Sequence, residues 1–102
     1  MLQLRPTCEN CRRQLPPHST EACICSFECT FCRTCVDEIL VNVCPNCGGG
    51  FMPRPVRPRH NWKNHNCLDK YPASTSPQEN PVDVGEHILF AQLIRLLPAS
   101  QR

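Results

Sequence analysis

The sequence predicts a small α+β domain that bound metal ions stabilise, followed by an irregular linker and a C-terminal helix. Nine of the ten cysteines lie within the first half of the chain, and eight of these form closely spaced pairs. Short β-prone and helical stretches lie between the pairs, and apolar residues are too few for a large core. We divide the chain into a metal-binding domain at 1–52, a Pro/Arg-rich flexible linker at 53–82 and a helix at 83–98.

The cysteine content allows two interpretations, a secreted disulfide scaffold or a metal-binding domain. The first eight residues show no basic stretch followed by an apolar run, so we expect no secretory signal and a cytoplasmic protein. Thiols stay reduced in that compartment, where closely spaced cysteines more often bind metal than form disulfides. No apolar run reaches the roughly 18 residues that a membrane span needs.

The elements of the domain follow from its apolar pattern. Residues 22–27 are β-prone and can pair with Thr30 and Phe31 as a hairpin. Residues 36–43 carry apolar side chains at the spacing of one helical face, and Pro45 prevents a longer helix. Because a core of this size contributes only a few kcal/mol, we expect metal ions to stabilise the fold. The predicted core is Leu2, Leu4, Leu15, Ile24, Phe27, Phe31, Val36, Ile39, Leu40 and Val43.

Eight cysteines form four pairs, and we expect two pairs to bind each of two Zn²⁺ ions. A two-residue spacing lets both sulfurs reach one ion at about 2.3 Å while backbone N–H groups turn towards the thiolates. Gly48 can adopt the positive φ that ends the last of these turns. Neighbouring pairs would form two independent sites, whereas alternating pairs would place the hairpin and the helix between the ions. We favour this cross-brace, with site 1 formed by Cys8, Cys11, Cys32 and Cys35 and site 2 by Cys25, Cys29, Cys44 and Cys47.

The run ECTFCRTCVDEILVNVCPNC at residues 28–47 resembles the second half of a RING finger, with Cys29 where RING domains usually place histidine. Residues 1–58 as a whole more closely resemble a small bacterial family, domain of unknown function 1272. This resemblance implies a zinc-bearing fold of the treble-clef or RING-like type. It implies no particular activity.

The likeness to RING fingers makes ubiquitin-ligase activity one alternative function. RING ligases usually carry an apolar residue between the first two ligands and a basic residue after the last ligand. This chain has Glu9 and Asn10 at the first place and Gly48 at the second, and its single tryptophan lies in the linker. Only Pro45 agrees with the ligase pattern, and fold likeness alone does not indicate that chemistry.

A basic segment at 54–63 gives a second alternative, a nucleic-acid-binding accessory protein. It contains no acidic residue, so its cations could bind phosphates while its tryptophan stacks on a base. The metal-binding domain itself has five acidic and four basic side chains over residues 1–50, which argues against a nucleic-acid surface built around the cysteines. The candidate contact residues of this segment are Arg54, Arg57, Arg59, Trp62 and Lys63.

The C-terminal helix has Asp83 as its predicted N-cap and Pro98 as its stop. It is apolar nearly all round, so we expect it to fold back on the domain, to pair with a second copy or to enter a partner's groove. Its candidate partner-binding residues are Ile88, Leu89, Phe90, Leu93 and Leu97.

No catalytic constellation is visible, because sites of four thiolates lack the open coordination position that catalytic zinc requires. The sequence therefore predicts a non-enzymatic, zinc-stabilised protein-interaction module, with a redox or zinc-buffering protein as a further alternative. Five other residues could act as extra ligands. We expect Cys23 to be a small buried side chain. We expect the other four to be solvated: His18, His60, His65 and Cys67.

Overall fold

The computed structural model describes residues 1–102. The elements in chain order are β1 (Ala22–Ile24), β2 (Thr30–Cys32), α1 (Arg33–Glu38), β3 (Met52–Pro53), α2 (Val84–Ile94) and a 3-10 turn, Ala99–Gln101. The strands form one antiparallel sheet in the order β2-β1-β3. The small α+β fold that the sequence predicts is confirmed at this level. None of the helices combines the length and the apolar character needed to cross a membrane.

β1 and β2 form the predicted hairpin, with Cys23 opposite Phe31. The first strand ends at Ile24 instead of residue 27, because the chain turns there: the backbone N–H of Glu28 donates to the carbonyl of Cys25 at 3.0 Å. Glu28 adopts a φ of +66° in this turn. Phe27 therefore lies on the outside with 72% of its surface exposed, and its predicted place in the core is wrong.

α1 is shorter than the predicted helix and lies earlier in the chain. It begins directly after β2 and ends at Glu38, and Val41 and Asn42 then adopt positive φ values of 47° and 58°. The side-chain oxygen of Asn42 accepts a hydrogen bond from the backbone of Phe51 at 2.9 Å, which fixes this turn. The predicted apolar stripe is nevertheless buried at Val36 and partly buried at Ile39, because the turn keeps the same face inward.

The core lies between the hairpin, α1 and the cysteine-containing turns. Phe31 contacts Phe51 edge to face, with 5.5 Å between the ring centroids; Phe51 was not among the predicted core residues. Seven of the thirteen residues in the core cluster are cysteines, so the interior is small and rich in sulfur. Those seven are Cys8, Cys23, Cys25, Cys29, Cys32, Cys35 and Cys44.

Residues 53–82, which we call the strap, lie along the domain, whereas the sequence predicts a flexible linker. The buried guanidinium of Arg54 donates to the carbonyls of Arg5, Leu15 and Pro16 at 2.9, 3.2 and 3.0 Å. Farther along, the backbone N–H of Ser74 donates to the carbonyl of Leu4 at 3.0 Å, which joins this part of the strap to the N-terminal segment. Hydrogen bonds to main-chain carbonyls therefore attach the strap, and composition does not reveal such bonds.

α2 lies within the predicted helix, and Asp83 caps it as expected by accepting the backbone N–H of Glu86 at 3.0 Å. One face of α2 packs on the domain. His87 is buried, and its Nε2 lies 2.9 Å from the carbonyl oxygen of Leu40. A Cβ placed on Gly48 would lie 3.7 Å from the side chains of both Phe90 and Ile94. The helix therefore folds back beside the last cysteine pair, and its outer face stays exposed.

Candidate metal centre

The first group of thiols, cluster 1, joins two distant parts of the chain. Two of its cysteines flank the turn near the N-terminus, and the other two lie at the end of β2 and in the first turn of α1. All four sulfurs lie within 4.8 Å of one another, and the sulfurs of Cys11 and Cys32 are 3.7 Å apart. Only Cys11 is exposed. The members of cluster 1 are Cys8, Cys11, Cys32 and Cys35.

The second group, cluster 2, joins the end of β1 to the turn after α1. The sulfurs of Cys25, Cys44 and Cys47 lie within 4.8 Å of one another. Cys29 lies beside them, and its thiol interacts with those of Cys25 and Cys44. Gly48 has a φ of +78°, as expected for the residue that ends the turn. Cluster 2 therefore consists of Cys25, Cys29, Cys44 and Cys47.

The two clusters combine alternate cysteine pairs. The first and third pairs meet in cluster 1, while the second pair approaches the fourth in cluster 2. The hairpin and α1 therefore lie between the clusters, which is the arrangement that we favoured over two independent sites. Each cluster could hold one metal ion, because four convergent thiols are a common ligand set for a soft divalent cation.

Two asparagines that the sequence analysis did not assign to the sites donate to cluster sulfurs. The Nδ2 of Asn10 lies 3.4 Å from the sulfur of Cys35, and the Nδ2 of Asn46 lies 3.4 Å from that of Cys29. Each asparagine directly precedes the second cysteine of its own turn and donates to a cysteine of the other pair in the cluster. The recurrence of Cys-x-Asn-Cys in both turns was the available signal.

The oxygens of the same two asparagines bind the end of the strap. The Oδ1 of Asn10 accepts the backbone N–H of Val82 at 2.9 Å, and the Oδ1 of Asn46 accepts the Nδ2 of Asn80 at 2.8 Å. The backbone N–H of Asn80 also donates to the carbonyl of Glu9 at 2.8 Å. The last residues before α2 are thus hydrogen-bonded beside both clusters.

Backbone N–H groups complete the surroundings of the sulfurs in cluster 2. The N–H of Phe27 lies 3.4 Å from the sulfur of Cys25, and the N–H of Gly49 lies 3.4 Å from that of Cys47. Such donors stabilise the thiolate over the thiol, and they are typical of the surroundings of metal-bound cysteine. The donor set thus fits a bound cation.

Burial dominates the titration of four of the eight cluster thiols. Desolvation raises the pKa of these four, whereas the pKa of Cys11 is lowered: partial burial acts to raise it, but the backbone of Arg13 and the neighbouring thiols outweigh that effect. A metal ion must therefore displace protons from the buried thiols when it binds. The thiols with a raised pKa are those of Cys29, Cys32, Cys35 and Cys44.

Glu9 lies between the first two cysteines and is buried. Its carboxylate accepts hydrogen bonds from the guanidinium of Arg5 at 2.7 Å and from the backbone N–H of Thr30. Its own backbone N–H donates to the carbonyl of Thr30 at 3.0 Å. Glu9 therefore attaches the first cysteine turn to β2, and its side chain faces the protein interior.

The remaining cysteines and histidines take no part in either cluster. Cys23 is fully buried in β1, as expected, and its thiol lies 3.9 Å from the carbonyl oxygen of Glu21. Cys67 is also buried, which the sequence analysis did not expect. His18, His60 and His65 are exposed, and no group of potential metal ligands includes them.

The residues of the predicted basic segment differ in exposure: some are used within the protein and others are free at the surface. Arg54 is only 4% exposed and cannot belong to a partner-binding surface, because its guanidinium is used within the domain. Arg57 is half-buried and donates to the carbonyls of Tyr71 and Leu2, at 2.7 Å each. Arg59 and Trp62 are exposed, as is Lys63. The five residues predicted for partner binding at the C-terminal helix are all exposed; four lie on α2 and Leu97 lies after its end: Ile88, Leu89, Phe90, Leu93 and Leu97.

Comparison with known proteins agrees with the cysteine pattern. The family described as "Protein of unknown function (DUF1272)" matches residues 1–57, which include both clusters. The chain belongs to the DUF1272 family. The resemblance inferred from the sequence is thereby confirmed, and the matched residues of this DUF1272 protein exclude α2 and most of the strap.

A second comparison found an uncharacterised protein of Rhizobium meliloti (strain 1021). It is 55% identical to this DUF1272 protein over 76 residues, which are 74% of this chain and 83% of that protein. No solved structure matches the chain.

Proposed function

We propose that this DUF1272 protein binds one Zn²⁺ ion in each cluster and acts as a non-enzymatic module that self-associates through α2. The observation that carries the proposal is the convergence of four thiols from two distant segments within 4.8 Å in cluster 1. Nothing else in the chain supplies comparable cross-linking, because the core consists largely of the cysteines themselves. In this proposal the domain has a RING-like cross-brace of the treble-clef type.

Zinc is the metal that the ligand set favours. Four thiolates arranged around one ion suit tetrahedral Zn²⁺, which has no redox chemistry and no open coordination position in such a site. Bound zinc would cross-link the N-terminal turn to α1 in cluster 1 and β1 to the Cys44–Cys47 turn in cluster 2. The role of the metal in this proposal is therefore structural.

Elemental analysis of the full chain, purified under reducing conditions, tests the metal sites. We expect two zinc ions per chain, about one in a Cys35→Ser variant or a Cys44→Ser variant, and two in the control Cys67→Ser. Cys67 is also a buried cysteine, but it lies outside both clusters.

Removal of the metal tests its structural role. We expect a strong chelator to abolish the far-ultraviolet circular dichroism of the folded chain, because apparent zinc-binding free energies of about 10–16 kcal/mol per site exceed what this small core can supply. A chain that contains no zinc, or one whose spectrum a chelator leaves unchanged, contradicts the proposal.

The outer face of α2 supports self-association. Leu89 and Leu93 of α2 are 72% and 73% exposed, and their spacing of four residues places them on one helical face; Leu96, in the turn after α2, is 71% exposed. No charged residue lies between Leu89 and Leu93 in the sequence. Two copies of such a face can meet without repulsion of like charges, and a symmetric dimer buries the same patch on both partners. A second copy of the chain is therefore the occupant that we propose.

Light scattering coupled to size-exclusion chromatography of the zinc-loaded chain tests this pairing. We expect a dimer for the wild type and a monomer for Leu93→Asp, because a carboxylate in the apolar contact would have to be desolvated. Gln78→Asp adds the same charge at an exposed position of the strap and should remain dimeric. A monomeric wild type contradicts self-association. It does so even if Leu93→Asp abolishes binding to an unrelated protein, because α2 would then bind that protein instead of a second copy.

The ubiquitin-ligase alternative finds no support in the first cysteine turn. RING ligases usually present an apolar side chain there, whereas Glu9 is buried against Arg5 and Thr30 in this chain. A conjugating enzyme would have to contact a surface of different chemistry. We therefore propose no ligase activity for this protein.

A further inference from the structure

Residues 58–68 form a closed loop on the strap, which we call the tryptophan loop. The backbone N–H of Leu68 donates to the carbonyl of Pro58 at 2.9 Å and closes its base. Within the loop, the side-chain oxygen of Asn61 accepts the backbone N–H of His65 at 2.8 Å, and the Nδ2 of Asn61 lies 3.1 Å from the Nδ1 of His65. These bonds favour a compact conformation of the loop.

The ends of the tryptophan loop are buried or hydrogen-bonded. At one end, Cys67 is 3% exposed. Next to the other end, the guanidinium of Arg57 bridges the carbonyls of Leu2 and Tyr71, at 2.7 Å each. The loop is therefore a fixed platform, and a ligand that binds it need not order it first.

The platform displays one aromatic side chain among cations. Trp62 is 80% exposed, and the ring of His60 lies edge-on to it with 5.8 Å between centroids. Arg59 and Lys63 are both exposed, and neither makes a salt bridge. No carboxylate occurs between residues 54 and 68. An exposed aromatic side chain with unpaired cations close to it in the chain is a combination that can bind unstacked bases and their phosphates.

We propose that the tryptophan loop binds single-stranded nucleic acid, with Trp62 stacked on a base and with Arg59 and Lys63 on the neighbouring phosphates. This surface differs from the one predicted from sequence, because Arg54 and Arg57 are used to attach the strap. The inference goes beyond the proposed function, since none of its contact residues belongs to a cluster or to α2.

Competing ligands fit the loop less well. A membrane surface would gain only one large apolar side chain, while Asn61, Asn64 and Asn66 would lose hydration. A nucleic-acid duplex offers phosphates, but its stacked bases are not accessible to Trp62. Single strands offer both contacts at once, whether they are DNA or RNA.

Trp62 is the only tryptophan of the chain, so its fluorescence reports binding directly. We expect saturable quenching by oligothymidylate or oligouridylate and weaker binding to a duplex of equal length; the two oligomers distinguish DNA from RNA. Two phosphate contacts on a single strand predict a slope of about −1.4 for the logarithm of the binding constant against that of the salt concentration. The full zinc-loaded chain is used throughout.

Variants separate stacking from charge, with a labelled oligomer and fluorescence anisotropy as the readout. Trp62→Ala should weaken binding about tenfold, within the range measured for one stacked base, and Trp62→Phe should retain most of the affinity. Arg59→Ala combined with Lys63→Ala should bring the salt slope close to zero. Arg13→Ala removes an exposed arginine outside the loop and should change neither quantity by much. Circular dichroism and zinc content verify that each variant is folded.

Several results would overturn the proposal. One is an absence of quenching by both oligomers; another is binding that survives both Trp62→Ala and the double variant. A third is a blue shift of Trp62 fluorescence on phosphatidylserine vesicles in the absence of nucleic-acid binding, which would assign the loop to membranes. Leu93→Asp should bind the oligomer normally, so failure of self-association and failure of nucleic-acid binding are distinguishable.

Discussion

At the scale of single residues, the side chains of Asn10 and Asn46 donate hydrogen bonds that offset the negative charge of the cluster thiolates. Four thiolates around one divalent ion leave a charge of −2 in a partly buried site, which is costly without donors nearby. Each asparagine supplies one N–H group to a sulfur of its cluster at 3.4 Å. The two residues also show why the ligands were predictable and their neighbours were not: cysteine spacing indicates coordination, whereas a single asparagine in a turn has many roles.

We predict that Asn46→Ala lowers zinc affinity about 10- to 100-fold, the usual effect of losing a hydrogen bond to a metal ligand. Asn46→Asp should lower it further, because a carboxylate beside the thiolate of Cys29 repels it and favours its protonation. Competition with a chromophoric zinc chelator measures both effects. Gln78→Ala, an exposed polar residue of the strap, is the control and should leave the affinity unchanged. Equal affinities for all variants would contradict a role for the Asn46 amide.

At the scale of elements, the strap is the part of the structure that differs most from expectation. The hairpin and the Asp83 cap could be predicted, because each has a local sequence pattern, whereas α2 ends at Ile94, before the predicted stop at Pro98. The strap has six prolines over residues 51–82 and no apolar periodicity, which is the composition of a flexible linker. Arginine side chains attach it by binding carbonyls distant in sequence, and no local pattern encodes such pairs.

Arg54 provides the test of this attachment. Burial lowers the pKa of its guanidinium, but the group remains charged at neutral pH, because a guanidinium is too strong a base to lose its proton there. We predict that Arg54→Ala destabilises the zinc-loaded chain by about 2–4 kcal/mol, since three carbonyls lose a charged donor. Urea unfolding under reducing conditions measures the change.

Arg59→Ala is the matched control for Arg54→Ala. Arg59 lies five residues away in the same strap, is exposed and makes no hydrogen bond with its side chain. Its substitution should change the free energy of unfolding by less than about 0.5 kcal/mol. Equal effects of the two substitutions would show that the strap is not held through Arg54.

At the scale of the whole molecule, the proposed zinc sites would link the fold to the proton concentration. Zinc binding requires thiolates, and burial raises the pKa of the thiols of Cys35 and Cys44 above the ordinary value of 9.0. Protons therefore compete with the metal throughout the neutral range. Raising the pH favours the zinc-loaded state, and lowering it favours protonated thiols and free metal.

We predict that acidification releases zinc steeply and that the loss of helical circular dichroism follows the same curve, because up to four protons replace each ion. A zinc indicator dye and circular dichroism, recorded together along a pH titration, check this. Mildly alkaline conditions should restore both signals. Loss of zinc with a retained spectrum would contradict a fold that depends on its metal.

The short segment Asn80–Val82 touches the surroundings of both clusters, through the amide oxygens of Asn46 and Asn10. Each amide also donates to a sulfur of its own cluster, so the acceptors of this segment depend on the geometry of both clusters. α2 begins two residues later. Partial loss of metal from either cluster would therefore loosen the start of that helix, even though α2 itself contains no ligand.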